Sequence, residues 1–190
     1  MRAWFTGARW QAAWWRKVEA LAARHGDDPT IWAWELWNEI ECCRTGDFAV
    51  QEAWTRASLA RLKRLCPRNL VTNSLGSFDH PGKQELHDAF RADKLDFQQV
   101  HRYLDQGAAL AVVRSDPAAA TADAVRCARR PDRPAILAET GAVNDCHTGP
   151  FRFYRWDDDG LIFHDTSYPA LFAGAAGCGH NWFWDRYVDE

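Results

Sequence analysis

Hydrophobic and polar positions along the chain alternate between two rhythms, one helical and one extended. Trp10, Trp14, Val18 and Leu21 recur at steps of four, four and three, which predicts a helix with one apolar face, closing at His25-Gly26. Past the turn Asp27-Asp28-Pro29, residues 31–37 form a nearly continuous apolar and aromatic run that stops on Asn38-Glu39, the pattern of a parallel strand buried on both faces. Ala53, Trp54, Ala57, Leu62 and Leu65 predict a second helix, stopped by Pro67, and residues 70–74 read as the next strand. A loop with ordinary turn chemistry, residues 76–82, leads to a short helix over 83–91. Residues 95–103 then alternate with period two, placing Phe97, Gln99, His101 and Tyr103 on one face of a third strand.

The second half continues in the same way. Ser115-Asp116 caps, and Pro117 opens, an Ala-rich helix to about Arg130, because proline in a first helical turn loses no hydrogen bond. Residues 134–139 form a fourth strand ending on Glu139, and residues 142–164 read as irregular. A small-residue helix is expected over 165–177, followed by a last strand over 178–184 with His180, Trp182 and Trp184 on a shared face. Strands alternating with helices imply right-handed βαβ units and a parallel sheet, hence an α/β fold. At 190 residues the chain can bury one substantial core, but it falls short of the roughly 250 residues of a (β/α)8 barrel. With no tandem repeat and no dividing linker, residues 1–190 read as a single domain.

Composition narrows the function. The net charge is −3 and the basic residues are scattered, so neither a nucleic-acid footprint nor a polybasic membrane surface is present, and the expected partner is neutral. No window is apolar enough to span a membrane, and the N-terminus lacks the apolar core of a signal peptide; in a piece of a longer protein this leaves localisation open, a secreted or periplasmic parent included. Eleven Trp and ten Phe supply large flat faces that either fill a core or stack on flat ligands such as sugar rings. The six cysteines show no CxxC pair: Cys66, Cys127 and Cys178 read as small buried residues, while Cys42, Cys43 and Cys146 lie beyond the two glutamate-bearing strands, where a loop-to-loop disulfide can be drawn. The run Asp157-Asp158-Asp159-Gly160 lacks the ligand spacing of a calcium loop and reads as a solvated acidic turn.

In α/β barrels the reactive groups lie at the C-terminal ends of strands. That filter selects Asn38 and Glu39, Asn73 and Ser74, His101 and Tyr103, Glu139, and Trp182 and Trp184. Glu35, four residues before Glu39, reads as a structural carboxylate paired within the core. The seven histidines form neither HxxxH nor HExxH, and there is no Gly-x-Ser-x-Gly elbow or phosphate loop, so no metal and no cofactor is expected.

The ordered set Trp37-Asn38-Glu39, His101-Arg102-Tyr103, Ala138-Glu139-Thr140-Gly141 and Trp182-Phe183-Trp184-Asp185 resembles the fourth, sixth, seventh and eighth strand ends of glycoside hydrolases of the (β/α)8 clan, most closely family 5, the cellulases and mannanases. The resemblance implies that Glu39 is the general acid/base and Glu139 the nucleophile, and that Asn38 holds the sugar hydroxyl beside the reacting carbon. By the same likeness His101 fixes the acid/base region, Tyr103 hydrogen-bonds near the nucleophile, and Trp184, with Trp182 a weaker match, forms a platform under the sugar. Such an enzyme hydrolyses β-linked glycans with retention, which needs one protonated and one ionised carboxyl about 5 to 5.5 Å apart. Trp34 and Trp37 around Glu39 would favour its protonated form.

The pattern departs from the family in one respect. Only five strands are countable, and the matches place them as strands four to eight of an incomplete (β/α)8 TIM barrel. The first three strands, with the arginine and histidine they supply, are missing, and little chain follows the eighth. A truncated or internal fragment is therefore expected, with self-association through an open strand edge. The alternative is an inactive fragment acting as a carbohydrate-binding module.

Overall fold

The computed structural model describes residues 1–91 and 95–187. Residues 92–94 and 188–190 of the expected 1–190 domain lie outside the described residues. Backbone contacts divide the chain into two compact units, one comprising Met1–Gly76 with Asp88–Phe97, the other Ser77–His87 with Gln98–Glu190.

The first unit opens with α1 (Arg2–Thr6) and α2 (Ala8–His25). Their aromatic residues are core: Trp4 meets Trp37 edge-on at 4.8 Å, Trp14 meets Trp54 at 5.1 Å and Phe5 meets Trp54 at 5.4 Å. Edge-to-face packing lets large rings interlock without gaps. The buried face of α2 is rotated from the one read in the sequence, with Trp15 and Ala22 buried but Trp10 51% exposed. The reason is a polar residue on the inner face. Gln11 donates to the Trp4 carbonyl (2.8 Å) and accepts from the Trp54 indole (2.7 Å), so its amide is satisfied inside and the helix turns about it.

β1 is only Ala33–Glu35, shorter than the expected 31–37, and pairs in parallel with β2 (Leu70–Thr72), which follows α3 (Phe48–Leu65). The pairing then becomes irregular, through Leu36 N to Thr72 O, Trp37 O to Ser74 N, and Ile40 N to Ser74 O. Burial on both faces does not hold either. Trp32 is 59% exposed, stacked on Phe97 at 5.0 Å, because β1 has β2 as its one ladder neighbour among the described residues. α3 begins where Asp47 accepts the Ala49 N–H (3.0 Å).

The division between the units falls within α4 (Gln84–Arg91). The second unit is a three-stranded parallel sheet in the order β3 (Gln98–Asp105), β4 (Ala135–Val143), β5 (Gly177–Asn181), with helices α5 (Pro117–Ala128) and α6 (Leu161–Phe172). Val100, Leu137, Ala124, Val125, Ala128 and Ala170 form its core between sheet and helices. α5 starts as its sequence dictates, with Asp116 accepting from Ala119 N (2.8 Å) and Pro117 in the first turn.

Two expectations change here. In the third strand His101 and Tyr103 do reach the same Glu139 oxygen from one face; what the sequence did not show is the register, in which Val100 pairs with Leu137 but His101 with Glu139, a β-bulge at Ala138 of β4, and the burial of every residue from His101 to Asp105. α6 begins at Leu161, inside the stretch read as irregular. The acidic run makes this start: Asp158 and Asp159 form the exposed turn expected, and Asp157 in addition accepts the N–H groups of Leu161 and Ile162 (2.8 Å each) and the Tyr187 hydroxyl (2.7 Å), so the turn also caps a helix. β5 stops at Asn181, after which Trp182 N reaches Thr140 O (2.9 Å) and Phe183 adopts φ 62°, turning the chain. His180, Trp182 and Trp184 therefore do not share a strand face.

None of the six cysteines is in a disulfide, so the loop-to-loop bond is absent. Cys66 is buried, as expected, whereas Cys127 and Cys178 are only partly buried where they pack against the core. Burial pushes the Cys66 and Cys178 thiols up. Among the described residues, no helix is long and apolar enough to cross a membrane.

Candidate active site

Each unit presents one of the two glutamates singled out by the sequence. In the first, Glu39 ends the irregular extension of β1 with φ 49° and ψ 56°, a left-handed conformation that non-glycine residues seldom adopt. It is held by Ser74, whose hydroxyl accepts the Glu39 N–H (3.0 Å) and lies 2.5 Å from Glu35 Oε1, to which it donates. The turn buries Ile40 and places Asn38, exposed, with Oδ1 3.3 Å from the same hydroxyl. Glu35 is paired, as expected, but not inside the core. It is exposed and lines a cavity of about 300 Å³ with Trp14, Lys17, Trp34 and Leu36.

Two neighbours of Glu39 escaped the sequence reading. The Cys42 thiol lies 3.9 Å from Glu39 Oε2, and Glu41 accepts the Gly76 N–H (2.7 Å). A Cβ at Gly76 would come within 2.9 Å of Glu41 Oε1 and 3.3 Å of Glu39 Cδ, so a bare glycine leaves room for both carboxylates. The signal was present in the sequence as Glu39-Ile40-Glu41-Cys42, but only the four-residue helical turn over Ile40–Cys43 folds it back.

In the second unit, Glu139 sits within β4 and is positioned by the ladder. The bulge at Ala138 brings it into register with His101 on β3, and the regular ladder on the other side pairs it with His180 on β5. The Tyr103 hydroxyl donates to Glu139 Oε2 (2.7 Å), and His101 Nδ1 lies 3.5 Å from that oxygen. The bulge also dictates a glycine: a Cβ on Gly179 would stand 2.2 Å from the Ala138 carbonyl oxygen. Two residues past Glu139, Gly141 has φ 131°, and the Ala142 N–H is received by the Tyr154 hydroxyl (2.7 Å), whose pKa burial pushes up to about 12.

The structure thus brings His101, Tyr103 and Glu139 together, and sets Asn38 beside Glu39 on its own turn. Trp182 and Trp184 are half exposed beyond β5, at 48% and 51%, with Trp182 edge-on to His180 at 5.2 Å. Asn73, also selected by the filter, is buried and donates to Thr55 Oγ1 (3.0 Å), a packing role. Sequence reasoning missed His147, whose ring meets the Tyr103 ring edge-on at 5.3 Å. It hydrogen-bonds Asp79. Burial alone would raise the Asp79 carboxyl, but His147 and the Lys83 ammonium outweigh it and hold it below the usual range.

Comparison with known proteins bears out the resemblance. No family model matches the chain. Mannan endo-1,4-β-mannosidase F of Aspergillus clavatus is 32% identical over 116 residues, covering 53% of this chain and 26% of that protein. Mannan endo-1,4-β-mannosidase 4 of Oryza sativa subsp. japonica is 32% identical over 93 residues, covering 42% of this chain and 20% of that one. The chain thus spans about a quarter or less of these curated relatives. In structure, the endo-1,4-β-D-mannanase of Thermotoga petrophila RKU-1 matches 95% of this chain and 56% of its own, with a TM-score of 0.68 and 18% identity. The endo-1,4-β-mannanase of Rhizomucor miehei matches 95% and 54%, with a TM-score of 0.67 and 18% identity. The α/β fold is accordingly the one found in these mannanases, and the parallel strands are those of a partial (β/α)8 barrel.

Proposed function

From this similarity to mannan endo-1,4-β-mannosidases as premise, we propose that the chain is the later part of a retaining glycoside hydrolase barrel acting on β-1,4-mannan-type glycans. The observation that supports the reading best is local: a carboxylate, Glu139, held through one oxygen by the Tyr103 hydroxyl at 2.7 Å, in the strand position of the family nucleophile. Glu139 attacks the anomeric carbon as the glycosidic C–O bond breaks, and Glu39 gives its proton to the leaving oxygen. Water then cleaves the glycosyl-enzyme ester with Glu39 as base. Asn38 holds the adjacent sugar hydroxyl, His101 and Tyr103 keep the carboxylates in place, and the exposed faces of Trp184 and Trp182 stack on sugar rings. Mannan is preferred to cellulose because the matched relatives carry that activity by name.

The test is reducing-sugar release from β-1,4-mannan and cellulose by the purified chain and by its full-length parent, with the product anomer followed by proton NMR. The expected product retains the β configuration. Glu139→Gln should abolish turnover, and Glu39→Gln should lower kcat by about 10²–10⁴-fold. An inverted product removes the nucleophile role. Mannan binding that survives Glu139→Ala, with hydrolysis by neither protein, replaces the enzyme with a binding module.

A further inference from the structure

A second cluster of side chains lies in the unit that carries Glu139. It joins Asp79 from the loop after β2, Asp105 from the end of β3, and His147 from the helical turn Asp145–His147 after β4. His147 Nε2 is 3.2 Å from Asp79 Oδ2 and 3.8 Å from Asp105 Oδ2, and one ligand atom from each residue lies within 4.8 Å of the others.

The backbone holds these groups in position. The Asp105 side chain is 1% exposed, and its Oδ1 accepts the N–H groups of Gly107 (2.8 Å) and Cys146 (3.0 Å). Its Oδ2 faces His147 Nε2 at 3.8 Å. Asp79 is divided in the same way. Lys83, itself tied to the Ser77 carbonyl (2.6 Å), stands 3.3 Å from Oδ1, while Oδ2 turns to His147. Two oxygens and one imidazole nitrogen therefore converge from the loop after β2, the end of β3 and the turn after β4, with both carboxylates oriented by contacts on their far sides.

We propose that Asp79, Asp105 and His147 form a divalent-metal site of the zinc class. A tetrahedral ion with bonds of about 2.0–2.1 Å sets its donors about 3.3 Å apart, and the separations of 3.2 and 3.8 Å lie at that spacing or within a small closure of it. One nitrogen and two carboxylate oxygens suit Zn2+, whereas Ca2+ takes six to eight oxygens. Three protein ligands leave a fourth position for water. The bound ion ties the His147 turn to the loop after β2 and the end of β3, and holds the imidazole against the Tyr103 ring.

The chain, stripped with chelator and kept in a reducing buffer, is titrated with ZnCl2 by calorimetry, and bound metal is counted by mass spectrometry. The variants are Cys146→Ser, Asp79→Asn and His147→Ala, with circular dichroism to verify folding. Cys146→Ser separates this site from thiol binding, since Cys146 is an exposed thiol next to His147. One equivalent is expected in the parent chain and in Cys146→Ser, with affinity weakened at least about tenfold in Asp79→Asn and His147→Ala. If His147→Ala does not fold, Asp79→Asn decides. Zinc uptake that ignores both substitutions, or no uptake by the parent chain, overturns the site. The readout needs no sugar and no turnover, so it stands or falls separately from the proposed hydrolase.

Discussion

Glu39 and Glu139 are the same residue type at the same kind of place, yet the two units hold them by different means. Glu39 sits on a turn: its backbone is left-handed, its N–H depends on the single hydroxyl of Ser74, and the strand before it is three residues long. Glu139 sits on a ladder, registered on both sides by β3 and β5, with its carboxylate held by the side chains of Tyr103 and His101. A ladder distributes the positioning over many backbone hydrogen bonds, whereas a turn concentrates it in one or two groups. The turn is therefore the place where a small substitution moves the functional carboxylate, and the ladder is the place where only a steric insult does.

The largest expected effect comes from pH acting on the ladder's far end, where Tyr154 braces Ala142. The pKa of Tyr154 in the folded chain is raised from 10 to about 12, so the folded state keeps its proton over a window in which the unfolded state loses it. Its contribution is complete below about pH 10 and is lost as pH rises toward 12, worth about 2–3 kcal/mol. Urea midpoints measured across that range should fall accordingly, and Tyr154→Phe should flatten the slope. A slope unchanged by Tyr154→Phe would show that burial does not keep this phenol protonated over that window.

Gly179→Ala comes next. Its methyl group must push the Ala138 carbonyl out of the bulge, at about 1–3 kcal/mol, and should shift Glu139 against Tyr103. A urea midpoint equal to that of the parent chain would show that the bulge tolerates the methyl group, and the contrast with the turn would weaken.

The smallest change, Ser74→Ala, strips one oxygen from the turn and leaves the Glu39 N–H unanswered. About 1 kcal/mol of stability should go. Hydrogen exchange at the Glu39 amide should accelerate while exchange along β4 stays as it was; equal acceleration at both places would sink the distinction.

Much of this arrangement was legible along the chain. The Asp116-Pro117 start of α5 was readable because a cap and a proline act within one turn of themselves. The strand-helix alternation, the family likeness and the elements carrying the two glutamates were readable because hydrophobic period and residue type record local environment. The inner face of α2 was not, since Gln11 goes inward only when Trp4 and Trp54 meet its two ends. Nor was the start of α6, where Asp157 acts as cap from four residues before Leu161.

The sequence by itself determined the α/β alternation and the list of carboxylates, rings and imidazoles available at strand ends. Tertiary structure alone decided which of them meet. The bulge at Ala138 sets Glu139 opposite His101, and the meeting of the loop after β2, the end of β3 and the turn after β4 gathers Asp79, Asp105 and His147, residues with no spacing in common. The physical reason is that register and loop approach are set by packing between distant segments. A change of one residue in register exchanges which side chains are neighbours, and no local pattern records that choice.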